Sequence, residues 1–205
     1  MYGPAVASFL GNPAPSPGPL RDRDMAKNTL EDAMAAVSAI WGPVTTELVE
    51  ASRLHIESLA RASPEEPWLA ALHRDQPASR ELYRDPLHGF VLLAHVENTG
   101  LYRPPHDHGR GWVIYAVQRG ESEMGTYGRV EDAGGRISLV RRNSTLVKSG
   151  LAQVYLPGDI HDTLCVAGPA LLFRFTERDL KKEDLIEHKV TRYVQRDGFW
   201  TVGQP

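Results

Sequence analysis

The sequence predicts a mainly β protein, an antiparallel barrel or jelly roll with helices packed on it. From about residue 86 onward, short apolar runs of strand length are separated by Gly, Pro, Asn and Asp at hairpin spacing, and no long helical pattern interrupts them. Before that point apolar residues recur with helical periodicity. The chain has 205 residues, of which 41% are hydrophobic, so we expect one sizeable core rather than two.

Residues 1–24 differ from the rest of the chain in composition. Their prolines, glycines and alternating Arg and Asp provide little apolar surface, which predicts a flexible Pro-rich leader or residues upstream of a start at Met25. We assign 25–80 to an N-terminal helical segment and 81–205 to the barrel.

Three helices are predicted in the helical segment. The first begins near Asn28 and ends before Gly42 and Pro43, which stop the periodic pattern. The second covers about 46–62. The third begins at Ser63, with Ser as the cap and proline in the first turn. These helices are expected to cover one face of a sheet.

Eight strand-like runs follow the helical segment. They have the length and the apolar and β-branched content of strands and are bounded by turn residues. They cover 90–96, 112–118, 122–130, 136–140, 152–156, 163–166, 171–176 and 193–202.

Three histidines are the main candidates for a functional site. One residue separates His106 from His108, so an extended segment would place both imidazoles on one face and Asp107 on the other. His161 follows a glycine-containing turn and would complete a triangle from a facing strand. Such a triangle of imidazoles holds one metal ion and leaves coordination positions open.

Charge and composition exclude several other functions. A net charge of −3 provides no basic field for a phosphate backbone, so nucleic-acid binding is not expected. No apolar run has the length of a membrane span, and no secretory signal pattern is present at the N-terminus. Cys165 is the single cysteine, which fits a reducing compartment. The sequence therefore predicts a soluble cytoplasmic protein without a membrane or nucleic-acid partner.

The histidines stand in a pattern that resembles the cupin superfamily. The first cupin motif places a Gly, a His-x-His pair, a Glu and a second Gly at fixed spacing. Gly100, His106, His108 and Gly120 stand at these positions, whereas Val113 stands at the position of the Glu. The resemblance implies that the barrel is the cupin double-stranded β-helix, a jelly roll.

The second cupin motif is also present in part. Gly150, Gly158 and His161 match it, while Leu156 stands at the position of the motif Pro and Cys165 at that of the motif Asn. The resemblance covers residues 81–178.

The missing motif Glu has a chemical consequence. Three neutral imidazoles leave the full charge of a divalent ion to exogenous anionic ligands. In this respect the chain resembles the thiol dioxygenases, the group of cysteine dioxygenase and 3-mercaptopropionate dioxygenase, which hold Fe(II) with three histidines. The stretches 82–90 and 106–112 are similar to bacterial members of that group. The resemblance implies Fe(II) at the three histidines, and three imidazoles also accept Zn, Ni or Cu.

In the thiol dioxygenases an Arg one strand before the His pair binds the substrate carboxylate, and Arg84 stands at the matching position. A guanidinium can hold a carboxylate by two charge-assisted hydrogen bonds and orient the thiol. The alternative is an exposed Arg84 paired with Asp85 or Glu81.

The chain departs from that group on its last barrel strand. Leu172, Arg174 and Thr176 replace a Ser-x-His-x-Tyr run whose Tyr hydroxyl borders the iron. Position 113 also lacks the cysteine of the Cys-Tyr crosslink in the mammalian-type enzymes. Three tyrosines are candidates to replace the missing hydroxyl, and each could instead be a half-buried barrel aromatic. They are Tyr115, Tyr127 and Tyr155.

Arg174 is a further candidate for the substrate site. If Arg174 faces the barrel interior with Leu172 and Thr176, it needs an anionic partner there, and a second Arg in the pocket would favour a mercapto-dicarboxylate. The alternative places Phe173 and Phe175 inside and Arg174 in solvent.

Three functional hypotheses follow. The leading one is a mononuclear non-haem iron dioxygenase that oxidises a small thiol carboxylate to its sulfinate, with O2 and a small anionic molecule as partners. The second is a cupin dioxygenase acting on a non-thiol chelating substrate such as a diketone. The third is a cupin that binds a metal or small ligand without catalysis. The sequence leaves the oligomeric state open, a homo-oligomer included.

Overall fold

The computed structural model describes residues 28–203, so the predicted leader at 1–24 lies outside the described residues. Within this range the helices are α1 (Thr29–Ala39), α2 (Thr46–Ala60), α3 (Pro67–Asp75) and α4 (Leu180–Leu185). No helix in the described range is long and apolar enough to cross a membrane.

Side chains at the helix starts explain most of the helix boundaries. The side chain of Asn28 accepts a hydrogen bond from the Glu31 amide, and Thr45 caps α2 through the Leu48 amide. The third helix begins at Pro67 rather than at Ser63. The Ser63 hydroxyl accepts from the amide of Glu65 in a turn, and the second proline, at the first helical position, starts α3.

The barrel is formed by seven antiparallel strands, and a separate hairpin follows them. The barrel strands are β1 (Arg80–Arg84), β2 (Val91–Glu97), β3 (Tyr102–His106), β4 (Val113–Glu131), β5 (Ile137–Lys148), β6 (Leu151–Tyr155) and β7 (Ile160–Thr176). The hairpin consists of β8 (Tyr193–Arg196) and β9 (Phe199–Val202). The strand order is β1-β2-β7-β4-β5, with β3 on β7 and β6 on β4. The predicted fold, a mainly β jelly-roll barrel with N-terminal helices packed on it, is confirmed.

Two pairs of predicted strands are each one continuous strand. The runs 112–118 and 122–130 form β4, and 163–166 with 171–176 form β7. The glycine between the first two runs is a bulge rather than a turn. Gly120 has φ +83°, and a Cβ there would lie 2.3 Å from the carbonyl oxygen of Ala167 on β7. By contrast, the predicted run 193–202 is a hairpin, because Asp197 and Gly198 both have positive φ.

The alternation of β7 separates two apolar clusters. Phe173 and Phe175 pack under the N-terminal helices, in the cluster that includes Trp112 and Ile56. Leu172 faces the other way, into the barrel interior, with neighbours such as Val113, Met124 and Tyr155. Because side chains alternate along a strand, Arg174 lies on the interior face with Leu172. The observed placement of Arg174 is the first of the two arrangements considered from the sequence, and it puts the two phenylalanines under the helices.

The last described segment covers the open end of the barrel. We call residues 178–203 the C-terminal cap. The Asp107 amide donates to the Thr191 carbonyl, and the Thr191 amide donates to the Asp107 carboxylate at 2.8 Å. The Glu183 side chain is 2% exposed and accepts hydrogen bonds from the Arg110 guanidinium and amide at 2.8–2.9 Å. These polar contacts attach the cap to the loop that carries His108.

We expect Arg110→Met to loosen the C-terminal cap, because the buried Glu183 carboxylate loses its main partner. Hydrogen bonds from Arg110 lower the pKa of Glu183 to about 2. Because the pKa of Glu183 is lower in the folded than in the unfolded state, its ionised carboxylate stabilises the folded protein at pH values above about 4.5. This stabilisation is lost as the pH falls from about 4.5 to about 2. Urea unfolding should show a lower midpoint for the variant at pH 7 and a smaller difference at pH 3. An equal midpoint at pH 7 would contradict this role.

Candidate metal centre

The pairing of β3 with β7 brings the three histidines together. His106 is the last residue of β3 and lies opposite His161 in the register of β7, whereas His108 follows in the loop. One nitrogen from each ring lies within 4.8 Å of the other two. The centroid of the His106 ring is 4.7 Å from that of His161 and 5.2 Å from that of His108. The predicted convergence therefore occurs, with His161 on a paired strand rather than on a facing one.

The loop after β3 is held in a fixed shape. Asp107 leaves the strand direction, and its carboxylate accepts hydrogen bonds from the amides of Gly109 and Thr191. Gly109 has φ +62°, and a Cβ there would meet the Glu183 side chain at 2.8 Å. This turn, rather than an extended His-x-His segment, directs the His108 ring towards His161.

Burial keeps the three imidazoles neutral. The side chains of His108 and His161 are buried, and burial lowers the pKa of both well below the ordinary histidine value, as it lowers that of His106. The Nδ1 of His106 lies 2.9 Å from the Pro104 carbonyl oxygen. A carbonyl only accepts, so this nitrogen carries the proton and Nε2 presents its lone pair. The Nε2 atoms of His108 and His161 are 3.4 Å apart.

This donor set fits one metal ion. Neutral imidazole is a metal ligand, and an Nδ1 donor bonded to a carbonyl is the usual support for a ligating ring. Val113, at the position of the motif Glu, is fully buried in the barrel interior and supplies no carboxylate. Three imidazole nitrogens suit Fe(II), and also Zn, Ni and Cu. The His106, His108 and His161 cluster thus supports a metal ion of a kind that the geometry leaves open.

Two predicted tyrosines contact the cluster. The Tyr115 hydroxyl lies 3.4 Å from Nε2 of His108. Burial raises its pKa, and the nearby Arg174 guanidinium opposes that rise. The Tyr155 ring stacks on the His161 ring at 3.8 Å and 26°. Burial raises the pKa of Tyr155 as well, so both hydroxyls keep their protons at neutral pH.

A cavity of about 480 Å³ opens beside the cluster. His106, His108, Tyr115 and Arg174 line it, while His161 is buried behind them. Arg174 and Tyr115 are opposite each other in the register of β4 and β7. Among the described residues Arg174 forms no ion pair with a carboxylate, so its guanidinium is an unneutralised cation in the same cavity as two of the imidazoles.

The structure corrects the expectation for Arg84. Its side chain is 41% exposed, and its guanidinium bonds to Glu81 at 2.7 Å and to Asp179 at 2.8 Å. Arg84 does not line the cavity, because β1 is an edge strand that pairs only with β2 and ends away from the histidines. The pairing with Glu81 considered from the sequence is the one observed.

Tyr127 also lies elsewhere than expected. Its hydroxyl donates to the Asp162 carboxylate at 2.6 Å, and its side chain lines a separate surface groove rather than the cavity. Tyr127 lies on the outer face of β4 together with Gly125, because β4 pairs with β7 without a shift from Met124 to Tyr127 and Met124 faces the interior. It therefore cannot border an ion held by the histidines.

Sequence reasoning missed several charged residues of the cavity. Glu97 is 6% exposed at its side chain and pairs with Arg103 at 2.7 Å. Arg192 pairs with Asp184 at the rim. The sequence could have indicated that His95 and Glu97 line the same surface, since residues two apart on a strand share a face. These ion pairs neutralise Arg103 and Arg192, whereas Arg174, which lies opposite Tyr115, has no carboxylate partner among the described residues.

Comparisons with known proteins find only partial structural likenesses at low sequence identity. No protein-family model matches the sequence, and no curated protein matches it significantly. Among solved structures, KdgF from Halomonas sp. is 16% identical over 48% of this chain and 74% of its own, with a TM-score of 0.39. The cupin domain of Schizosaccharomyces pombe Cnp3 is 11% identical over 54% and 69%, with a TM-score of 0.39.

A third structure is an oxalate oxidase in complex with the substrate analogue glycolate. It is 22% identical over 48% of this chain, with a TM-score of 0.34, and this chain spans 50% of its length. At these identities the matches assign no activity to the chain.

Proposed function

We propose that this protein is a mononuclear Fe(II) dioxygenase that oxidises a small thiol carboxylate to its sulfinate. The observation that carries the proposal is the placement of two of the three clustered imidazoles and an unneutralised Arg174 around one cavity. Bound ferrous iron would supply the redox chemistry that joins a thiolate to O2. In the overall reaction both oxygen atoms are added to sulfur, so the four electrons lost by the thiolate are those gained by O2.

Arg174 takes the role of carboxylate anchor that the sequence placed at Arg84. A guanidinium in a partly dehydrated cavity binds a carboxylate by two charge-assisted hydrogen bonds. Tyr115 stands between this cation and His108, with its hydroxyl 3.4 Å from the ring nitrogen. A carboxylate held at Arg174 would thus place the rest of a short substrate against the imidazoles of His106 and His108, which line the cavity.

Tyr115 is our candidate for the hydroxyl missing from the last barrel strand. Its hydroxyl comes from β4 rather than β7, and its raised pKa keeps the proton on oxygen at neutral pH. A protonated hydroxyl beside the imidazoles can donate a hydrogen bond to a substrate atom held there. Tyr155, behind His161 and outside the cavity lining, instead fixes the orientation of that ring.

The rim of the cavity supports a second candidate function. Apolar side chains of the C-terminal cap line it, among them Leu180, Leu185 and Val190. An apolar rim suits a substrate larger than a thiol acid, such as a diketone that binds the metal through two oxygens. A metal-binding protein without catalysis is the third possibility. We place the protein, with its buried free Cys165, in the cytoplasm as part of this proposal.

Oxygen consumption by the Fe(II)-loaded protein tests the proposal. We expect O2 uptake with 3-mercaptopropionate or a related short thiol carboxylate, one O2 per thiol lost, and a product heavier by two oxygen atoms in mass spectrometry. Thiols without a carboxylate should react slowly, because Arg174 then has no partner. Uptake only with diketones would favour the second function. Stoichiometric metal binding without uptake on any of these compounds would overturn the dioxygenase proposal.

A further inference from the structure

Asp162 follows the histidine His161 in the sequence and lies on the opposite face of β7. It is 5% exposed. Its Oδ1 accepts a hydrogen bond from the Gly125 amide at 2.9 Å, and its Oδ2 accepts from the hydroxyls of Tyr102 at 2.9 Å and Tyr127 at 2.6 Å. Tyr102 is on β3, whereas Gly125 and Tyr127 are on β4. One buried carboxylate therefore joins three neighbouring strands.

The backbone of β4 is shaped to admit this carboxylate. Gly125 lies opposite Asp162 in the register, and a Cβ at Gly125 would lie 2.5 Å from Asp162 Oδ1. That separation is far below a normal contact, so a side chain at this position would displace the carboxylate. The hydrogen bonds of Asp162 thus depend on a glycine that sequence analysis did not single out.

The strand that carries His106 needs such support. Pro104 and Pro105 precede His106 in β3 and have no amide hydrogen to donate to β7. The register between β3 and β7 also shifts between Arg103 and His106. Backbone pairing is therefore sparse at the end of β3 where His106 has to meet His161. The Tyr102–Asp162 bond links the same two strands four residues before His106.

We propose that Asp162 is a positioning residue of the metal centre. By holding β3 and β4 against β7, it fixes the separation of His106 and His161 before any ion binds. Loss of groups that support ligating residues commonly costs about 10-fold to 100-fold in metal affinity. The inference needs only the metal site and is independent of the reaction proposed above.

Co(II) binding to the full chain tests this role. Asp162→Asn replaces one acceptor oxygen by an NH2 group, so the three donors cannot all be satisfied. We expect its Co(II) affinity, measured by competition with a chromophoric chelator, to fall about 10-fold to 100-fold. The visible absorption of bound Co(II), which reports ligand geometry, should also change.

Asp85→Asn is the matched control. Asp85 is 4% exposed and accepts from the amides of Leu87 and His88 in a distant hairpin. Its loss should lower thermal stability but leave Co(II) affinity and absorption as in the wild type. If Asp85→Asn weakened Co(II) binding as much as Asp162→Asn, the effect would be one of general stability and the inference would be overturned. Unchanged affinity and absorption in Asp162→Asn would overturn it equally.

A second variant keeps the test decisive if Asp162→Asn does not fold. The double change Tyr102→Phe and Tyr127→Phe removes two of the three donors and leaves the carboxylate and the Gly125 bond in place. We expect weaker Co(II) binding with altered absorption, and wild-type values in both would again overturn the role of Asp162. Because no turnover is measured, a protein that binds Co(II) but consumes no O2 refutes the dioxygenase proposal alone.

Discussion

His161→Ala should abolish stoichiometric metal binding by this protein. The His161 ring is fully buried, and its Nε2 lies 3.4 Å from that of His108, so it supplies one of the three clustered imidazole nitrogens found in the described part of the chain. Loss of a direct ligand should exceed the roughly 100-fold cost of losing a supporting group. We therefore expect more than a 100-fold rise in the dissociation constant for Fe(II) or Co(II), measured by chelator competition.

His95→Ala is the control for this result. His95 lines the same cavity, and burial lowers its pKa to about 4, so it too is a neutral imidazole, although half-buried. Its Nδ1 bonds to the Ala78 carbonyl, and it is not part of the three-histidine cluster. The His95 variant should keep one metal per chain. Equal metal loss in both variants would mean that neither result reports direct ligation.

Arg174→Met should lower kcat/KM for a thiol carboxylate by at least about 30-fold. Truncating one member of a desolvated charge pair costs about 2–5 kcal/mol, and each 1.4 kcal/mol is about tenfold. The variant should be at least as stable as the wild type without substrate, because it removes a cation that has no carboxylate partner among the described residues. Steady-state oxygen uptake and urea unfolding together measure both effects.

Arg84→Met is the matched control for Arg174. It removes an arginine that the sequence pattern favoured but that the structure places at the surface with Glu81 and Asp179. We expect wild-type kinetics from it. Activity on a thiol without a carboxylate should be the same in Arg174→Met as in the wild type. A large loss of kcat/KM in the Arg84 variant, or no loss in the Arg174 variant, would contradict the assignment of Arg174 as the carboxylate anchor.

The metal ligands could be predicted from the sequence because their signal is local. A His-x-His pair at the end of a strand and a third His at the start of another need only correct strand pairing to converge. The fold could be predicted for the same reason, since turn residues and apolar runs mark most of the strands. The break predicted between the runs 112–118 and 122–130 was wrong, because the sequence does not distinguish a glycine in a β-bulge, such as Gly120, from a glycine in a turn.

The substrate side of the site could not be predicted in this way. Whether Arg84 or Arg174 faces the cavity depends on which strand is at the edge of the sheet and which face of β7 the helices cover. Phe173 and Phe175 are buried outside the barrel rather than within it, which a single alternating pattern does not reveal. The regular elements of the C-terminal cap, which lines the rim of the cavity, are a six-residue helix and a short hairpin, both too short to give a strong periodic signal.

X-ray absorption on the Co(II)-loaded full chain tests the central claim, that three imidazoles hold one ion, most directly. The account predicts a first shell of nitrogen and oxygen atoms at about 2.0–2.2 Å, with the outer-shell scattering of three imidazole rings, and loss of one ring's contribution in any Co(II) still bound by His161→Ala. A first shell of oxygen atoms without imidazole scattering, or a spectrum that His161→Ala leaves unchanged, would contradict it.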